Sequence, residues 1–142
     1  MKPAINVITL GVLDLERSLA FYRDGLGLPT EGIVGTEFEG GAVVFFRLDQ
    51  GVVLALFPKR QLAKDAGLPF DEGESSTIEF SLGQFADSRT DVDRVMKQAE
   101  NAGATIVEAA HDRVWGGYSG YFQDPDGHLW EIVWNPDFAN QE

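Results

Sequence analysis

The feature that most constrains this sequence is that it runs twice through the same order: strand, capped helix, glycine stop, three strands. In the first pass, INVITLGV is a mostly apolar strand candidate. Asp14 follows as an N-cap, able to accept from the free N–H groups of a first helical turn. Leu15, Leu19, Tyr22 and Leu26 then recur at helical spacing as one apolar stripe. Gly25 and Gly27 end that helix, and Pro29 prevents its return. Strand-like stretches follow over residues 30–38, 42–48 and 52–57, separated by turns with Gly40–Gly41 and Asp49–Gln50–Gly51.

The second pass repeats this order. Residues 76–82 read as a strand. Thr90 and Asp93 make a capping-box-like helix start. Val92, Val95, Met96, Ala99 and Ala102 form the apolar stripe, and Gly103 ends it. Strand candidates run over residues 104–109, 113–122 and 128–134. The organisation expected is a module of about residues 1–57, a linker of about 58–74 and a second module of about 75–136. Lys59, Arg60 and Lys64 mark the linker, which reads as a short helix or loop. A four-stranded sheet with one helix has only one face covered, so two such modules side by side leave a concave face suited to a ligand.

Composition narrows the function classes. The 142 residues suffice for one domain with a real core. No run of eighteen apolar residues is present, so no membrane span is expected. MKPAINVITL lacks the long apolar centre and cleavage site of a signal peptide and reads as a first strand, pointing to a cytoplasmic protein. Cysteine is absent, which excludes disulfides, thiolate metal sites and cysteine nucleophiles. A net charge of −12 repels nucleic acid and anionic lipid. It either keeps the protein soluble or marks a preference for cationic ligands, and charge alone does not choose.

Two segments carry a family resemblance. VLDLERSLAFYRDGLGLPT, residues 12–30, has Asp-Leu, then Ser, Phe-Tyr and Leu-Gly-Leu. GYFQDPDGHLWEIVWNP, residues 120–136, has an Asp-Pro-Asp-Gly turn and a glutamate four residues beyond its glycine. Together, in this order, they resemble the vicinal oxygen chelate superfamily (glyoxalase, bleomycin resistance protein, dioxygenase). The resemblance implies an α+β fold of two βαβββ modules with mixed sheets forming a concave, partly open barrel. It also implies a homodimer and a small organic molecule as partner.

Many members hold one divalent metal, using His, Glu or Gln on the first strand of each half and Glu on the last strand. Carried over by position, the last-strand glutamate is Glu131. The first-strand positions are Val7 and Thr77 or its neighbour Ser76; valine cannot ligate and threonine is a poor ligand. Glu79 shares a face with Thr77 and is a substitute, so Glu131 and Glu79 with waters could hold a hard cation weakly. Three or more suitable ligands are the norm. No tightly bound metal or other cofactor is therefore expected, with a divalent metal as the alternative. His128 falls on the opposite face of its strand from Glu131, and His111 reads as a loop residue.

Other residues supply the ligand-site candidates. Trp115, Tyr118 and Tyr121 sit among Gly116, Gly117 and Gly120, and either line a pocket or pack against helices or a dimer contact. Thr9 lies on one face of the first strand with Val7. Phe45 and Arg47 share a face; Arg47 either anchors an anionic group or is an exposed edge arginine. Trp130 and Trp134 alternate away from Glu131 toward a core beneath a helix. Phe21 and Tyr22 read as helix packing. Glu131 reads as a structural acid, as the partner of a cationic ligand group, or as a general base if burial raises its pKa. The function expected is metal-free small-molecule binding, as in the bleomycin-resistance branch. The competing reading is a metal-dependent lyase, isomerase or dioxygenase of glyoxalase type.

Overall fold

Alternating burial along the strands sets both sheets. In β1 (Val7–Val12) Leu10 and Val12 are buried while Val7 and Thr9 are exposed, so one face packs and the other is open. The computed structural model describes residues 3, 5–67, 69–70, 81–113 and 115–136. The chain divides into two compact units, Met1–Ser75 and Ser76–Glu142.

The first unit holds β1, β2 (Ile33–Val34), β3 (Val43–Arg47) and β4 (Val53–Pro58) in the order β1-β4-β3-β2. β1 runs parallel to β4 and the other pairs are antiparallel. The second unit holds β5 (Leu82–Phe85), β6 (Thr105–Asp112), β7 (Tyr118–Gln123) and β8 (Leu129–Trp134) in the matching order β5-β8-β7-β6, with β5 parallel to β8. The α+β expectation of two mixed four-stranded sheets with helices holds, and each sheet is open, with two edge strands. No helix among the described residues is long and apolar enough to cross a membrane.

Helix α1 (Leu15–Leu19) starts at Asp14, whose carboxylate accepts from Arg17 N–H at 3.0 Å. It continues as a π-helical turn, Ala20–Gly25, in which Leu26 N–H reaches back to Phe21 O at 2.9 Å. The wider turn lets the consecutive residues Phe21 and Tyr22 both point inward. Their rings meet edge-on at 4.9 Å, and Tyr22 lies 5.9 Å from Phe46. Each such buried ring contributes about 1.5–3 kcal/mol. The linker holds α2 (Lys59–Ala66), ended by Gly67. Helix α3 (Arg89–Ala102) buries Val92, Met96 and Ala99 and stops at Gly103, whose φ of 108° no other residue adopts without strain.

Several boundaries differ from the sequence expectation. The stretch 30–38 contributes only the two-residue β2, because Gly32 and Gly35 take φ of 87° and 80° on either side of it. Helix α3 is capped by Ser88, not Thr90: Ser88 is extended and its hydroxyl accepts from Asp91 N–H at 3.0 Å, whereas Thr90 is already helical. β5 runs three residues beyond the expected end at 82. The earlier part of that strand, with Ser76, Thr77 and Glu79, lies outside the described residues. β6 continues to Asp112, so His111 belongs to a strand and not to a loop. β7 begins at Tyr118 rather than at 113: Arg113 N–H donates to Gly117 O at 2.8 Å, and Gly116 has φ of 101°.

Candidate functional site

β8 places Glu131 on the open side of the second sheet. Trp130 faces the other way, stacked on Phe122 at 6.2 Å, and Ile132 is 2% exposed. Trp134 takes that side too, with the Arg89 guanidinium 5.3 Å from its ring. α3 packs on this covered face, so the odd-numbered residues of β8 point away from it. The turn before β8 is held by Asp124. Its buried carboxylate accepts from Asp126 N–H (2.9 Å), His128 N–H (2.8 Å) and the His128 ring (2.7 Å). Gly127 supplies the left-handed residue that closes it, with φ of 88°.

Glu131 has two cross-strand neighbours, Gly83 on β5 and Tyr121 on β7. Gly83 leaves open space where a side chain would stand. Tyr121 stands directly across from Glu131, close enough for the carboxylate to act on its phenol. Burial first, and then the neighbouring Glu131 carboxylate, push the Tyr121 phenol above its ordinary pKa, with Arg113 opposing. The phenol is thus held neutral, as a donor. Arg113 is itself fixed: its Nε donates to the Ser119 hydroxyl at 2.8 Å and a terminal nitrogen donates to Ser119 O at 2.9 Å. Ser119 is fully buried, and the guanidinium lies 5.5 Å from the Tyr121 ring centre.

β6 extends this face. Its two irregularities put Glu108 opposite Tyr121 and His111 opposite Ser119. His111 Nε2 lies 3.0 Å from Glu108 Oε1, and Nδ1 lies 2.8 Å from Asp112 O. Arg113, Ser119, Glu108 and Gly83 were absent from the sequence reading. Their place depends on the bulges and the register, and the period-two alternation that exposed Glu131 breaks at a bulge.

The other aromatic candidates separate. Tyr118 sits on the helix side of β7, where its hydroxyl donates to Asp93 of α3 at 2.6 Å and the Arg89 guanidinium lies 5.6 Å from its ring. Trp115 lies in the β6–β7 turn, half exposed, with its ring folded over Gly117. A side chain at Gly117 would collide with that ring, and one at Gly120 would meet Met96 Cε at 2.8 Å. Close approach therefore explains both glycines.

In the first unit, Thr9, Ala55 and Phe45 lie in one cross-strand row, beside the row of Val7, Val53 and Arg47. Phe45 is 41% exposed and Arg47 is exposed. A cavity of about 330 Å³ is lined by Pro29, Thr30, Glu31, Gly32, Val34, Phe45 and Arg47. Its wall is set by the Thr30 hydroxyl, which donates to Phe45 O at 2.6 Å and accepts from Gly32 N–H at 3.2 Å.

A divalent metal needs converging donors. Among the described residues no group of three His, Asp or Glu side chains could hold one. Glu131 faces a glycine on one side and a neutral phenol on the other. This described donor set does not fit a tightly held ion; Thr77 and Glu79 lie outside it.

An open mixed sheet built twice in one topology, with an acid on the last strand, defines the class. The chain belongs to the Glyoxalase/Bleomycin resistance protein/Dioxygenase superfamily, whose family model matches residues 4–132. It is 30% identical over 132 residues to the glutathione transferase FosA of Serratia marcescens, covering 93% of this chain and 81% of that one. A glyoxalase-related enzyme from Fulvimarina pelagi superposes with a TM-score of 0.79 at 32% identity, covering 95% of this chain and 90% of that one. A lactoylglutathione lyase from Agrobacterium tumefaciens superposes with a TM-score of 0.69 at 26% identity, covering 95% and 96%. A 43-residue stretch is 49% identical to an uncharacterised protein of Mycobacterium bovis, and the match spans 28% of that protein's length.

Proposed function

We propose that this chain is a small-molecule-binding member of the family that works without a tightly bound catalytic metal. Its ligand is held on the open face of the second sheet by Glu131 and Tyr121. The observation that carries this reading is the register of the open face, which sets Tyr121 on one side of Glu131 and the empty space at Gly83 on the other. A carboxylate beside a neutral phenol and an aromatic face accepts a ligand with a ring and a cationic or hydrogen-bond-donating group. Arg113, tied to Ser119, lies 5.5 Å from the Tyr121 ring centre and helps hold that ring in place. The protein is read as a cytoplasmic homodimer with neither nucleic acid nor membrane as partner; the net charge of −12 supports the last two exclusions.

A second reading is a metal-dependent lyase or transferase. The names of the Serratia and Agrobacterium relatives favour it. It requires ligands from residues 71–80, where Thr77 and Glu79 lie, to join Glu131.

The test is the metal content of untagged protein, before and after incubation with nickel, zinc, manganese and iron(II). The binding reading expects no stoichiometric metal, and expects Glu131→Gln to change ligand affinity more than stability. One metal per chain, lost in Glu131→Ala, overturns it in favour of the second reading.

A further inference from the structure

The first unit leaves two opposite charges open in one cavity. Glu31 and Arg47 both line it, and both are exposed. Neither side chain has a hydrogen bond or ion pair with any described residue, although they share the cavity with each other. The rest of the wall is apolar or already satisfied: Phe45 presents a ring, Pro29 and Val34 flank it, and Thr30 is spent on Phe45 O and Gly32 N–H. The volume, about 330 Å³, stands at the low end of the roughly 300–1,000 Å³ of small-molecule pockets.

We infer that this cavity is a subsite for a compact zwitterion with an apolar body, an α-amino acid in chemical class. Its carboxylate meets Arg47, its ammonium meets Glu31, and its apolar part lies on Phe45. Three considerations select that class. A simple anion approaches a chain of net charge −12 with Arg47 as the one cation among the cavity's lining residues, since Arg23, which reaches the Gly32 wall, is already held by Asp24. A simple cation leaves Arg47 unmatched and beside it. A zwitterion is neutral to the long-range field and satisfies both side chains with charge-assisted hydrogen bonds, while covering a ring that water otherwise faces. The inference uses residues of the first unit alone and stands apart from the reading of Glu131.

The experiment is a ¹⁵N–¹H correlation titration of the full chain with three probes: phenylalanine, 3-phenylpropionate, which lacks the ammonium, and phenethylamine, which lacks the carboxylate. Phenylalanine is expected to bind most tightly and to shift amides of residues 30–34 and 45–47. Arg47→Gln and Glu31→Gln are each expected to raise its Kd about two- to fivefold, as for solvent-exposed ion pairs. Arg47→Gln should leave phenethylamine no weaker, and Glu31→Gln should leave 3-phenylpropionate no weaker. Both residues are exposed, so both variants keep the fold. Equal affinity for the three probes, no saturable shift, or shifts centred on Tyr121 and Glu131 instead each overturn the proposal.

Discussion

The two sheets have one topology and two different open faces. On the covered side the equivalent cross-strand pairs are Phe46–Leu54 in the first sheet and Phe122–Trp130 in the second. Both phenylalanines are 1% exposed or less. On the open side the equivalent rows are Thr9–Ala55–Phe45 and Gly83–Glu131–Tyr121. Packing under a helix imposes the same demand twice, so large apolar residues recur there. The open faces are packed less uniformly, with Phe45 exposed but Ala55 and Ser119 buried, and have diverged: one carries Thr9, Ala55 and Phe45 beside an arginine, the other an acid facing a tyrosine. The covered faces hold the fold, and the divergent faces carry the ligand chemistry proposed above.

The widest expected gap separates covered from open positions. Phe46→Ala and Phe122→Ala should each cost about 3–5 kcal/mol of stability, from lost transfer energy plus the cavity left behind. Phe45→Ala and Tyr121→Phe, one strand position away from each, should cost about 1 kcal/mol or less. Urea unfolding of the four variants reads this directly. If Phe45→Ala proves as damaging as Phe46→Ala, the first open face is a packed face and its cavity is not a site.

A second prediction acts on the open faces alone. Gly83 stands beside Glu131 in register, has open space at its Cβ position and needs no left-handed backbone. Gly83→His should therefore place an imidazole on the same face as the carboxylate. Nickel(II) and zinc(II) should then bind roughly tenfold more tightly than to the parent chain, since imidazole suits both ions. Calorimetry on the parent, Gly83→His and Gly83→His/Glu131→Gln measures it. The gain should vanish in the double variant. A parent chain that already binds as tightly would mean that Glu131 has ligand partners, and the sheets would differ by a metal centre rather than by a carboxylate–phenol pair.

The legibility of these features followed the range of the interactions behind them. Asp14 as a cap, Gly103 as a stop and the Asp124–Gly127 turn depend on residues three or four apart, and the structure places them where the sequence pointed. The side taken by Trp130 and Trp134 followed from strand alternation, which needs no partner strand. Features that depend on a partner were missed. β2 shrank because two glycines took left-handed conformations that no period reveals. His111 moved from loop to strand because β6 gains residues at its bulges, and the same bulges brought Glu108 opposite Tyr121. Tyr118 and Tyr121 looked alike in sequence, yet an odd spacing along one strand sends them to opposite faces, one to Asp93 and one to Glu131. The place of Glu131 on the last strand was legible through the family resemblance; its surroundings were not, because Arg113 reaches Ser119 only after the intervening turn folds.

The smallest predicted effect uses those two tyrosines to sharpen the contrast between the faces of the second sheet. Both phenols are pushed above the ordinary tyrosine value of about 10, for different leading reasons. For Tyr118 the first cause is its hydrogen bond to Asp93, and for Tyr121 it is burial. Removing the charge in Asp93→Asn should lower the Tyr118 pKa and leave that of Tyr121 nearly unchanged. Ultraviolet titration of phenolate absorbance in a Tyr22→Phe background follows the two groups. The linkage has a definite sign. A phenol whose pKa is raised by folding holds its proton longer in the native state, so its stabilising contribution is complete below about pH 10 and fades as pH rises through the folded value. Asp93→Asn should therefore flatten the alkaline loss of stability without changing stability slope near neutrality. An equal fall in both pKa values would mean that one charge governs both faces of β7, and the separation between covered and open sides would not extend to electrostatics.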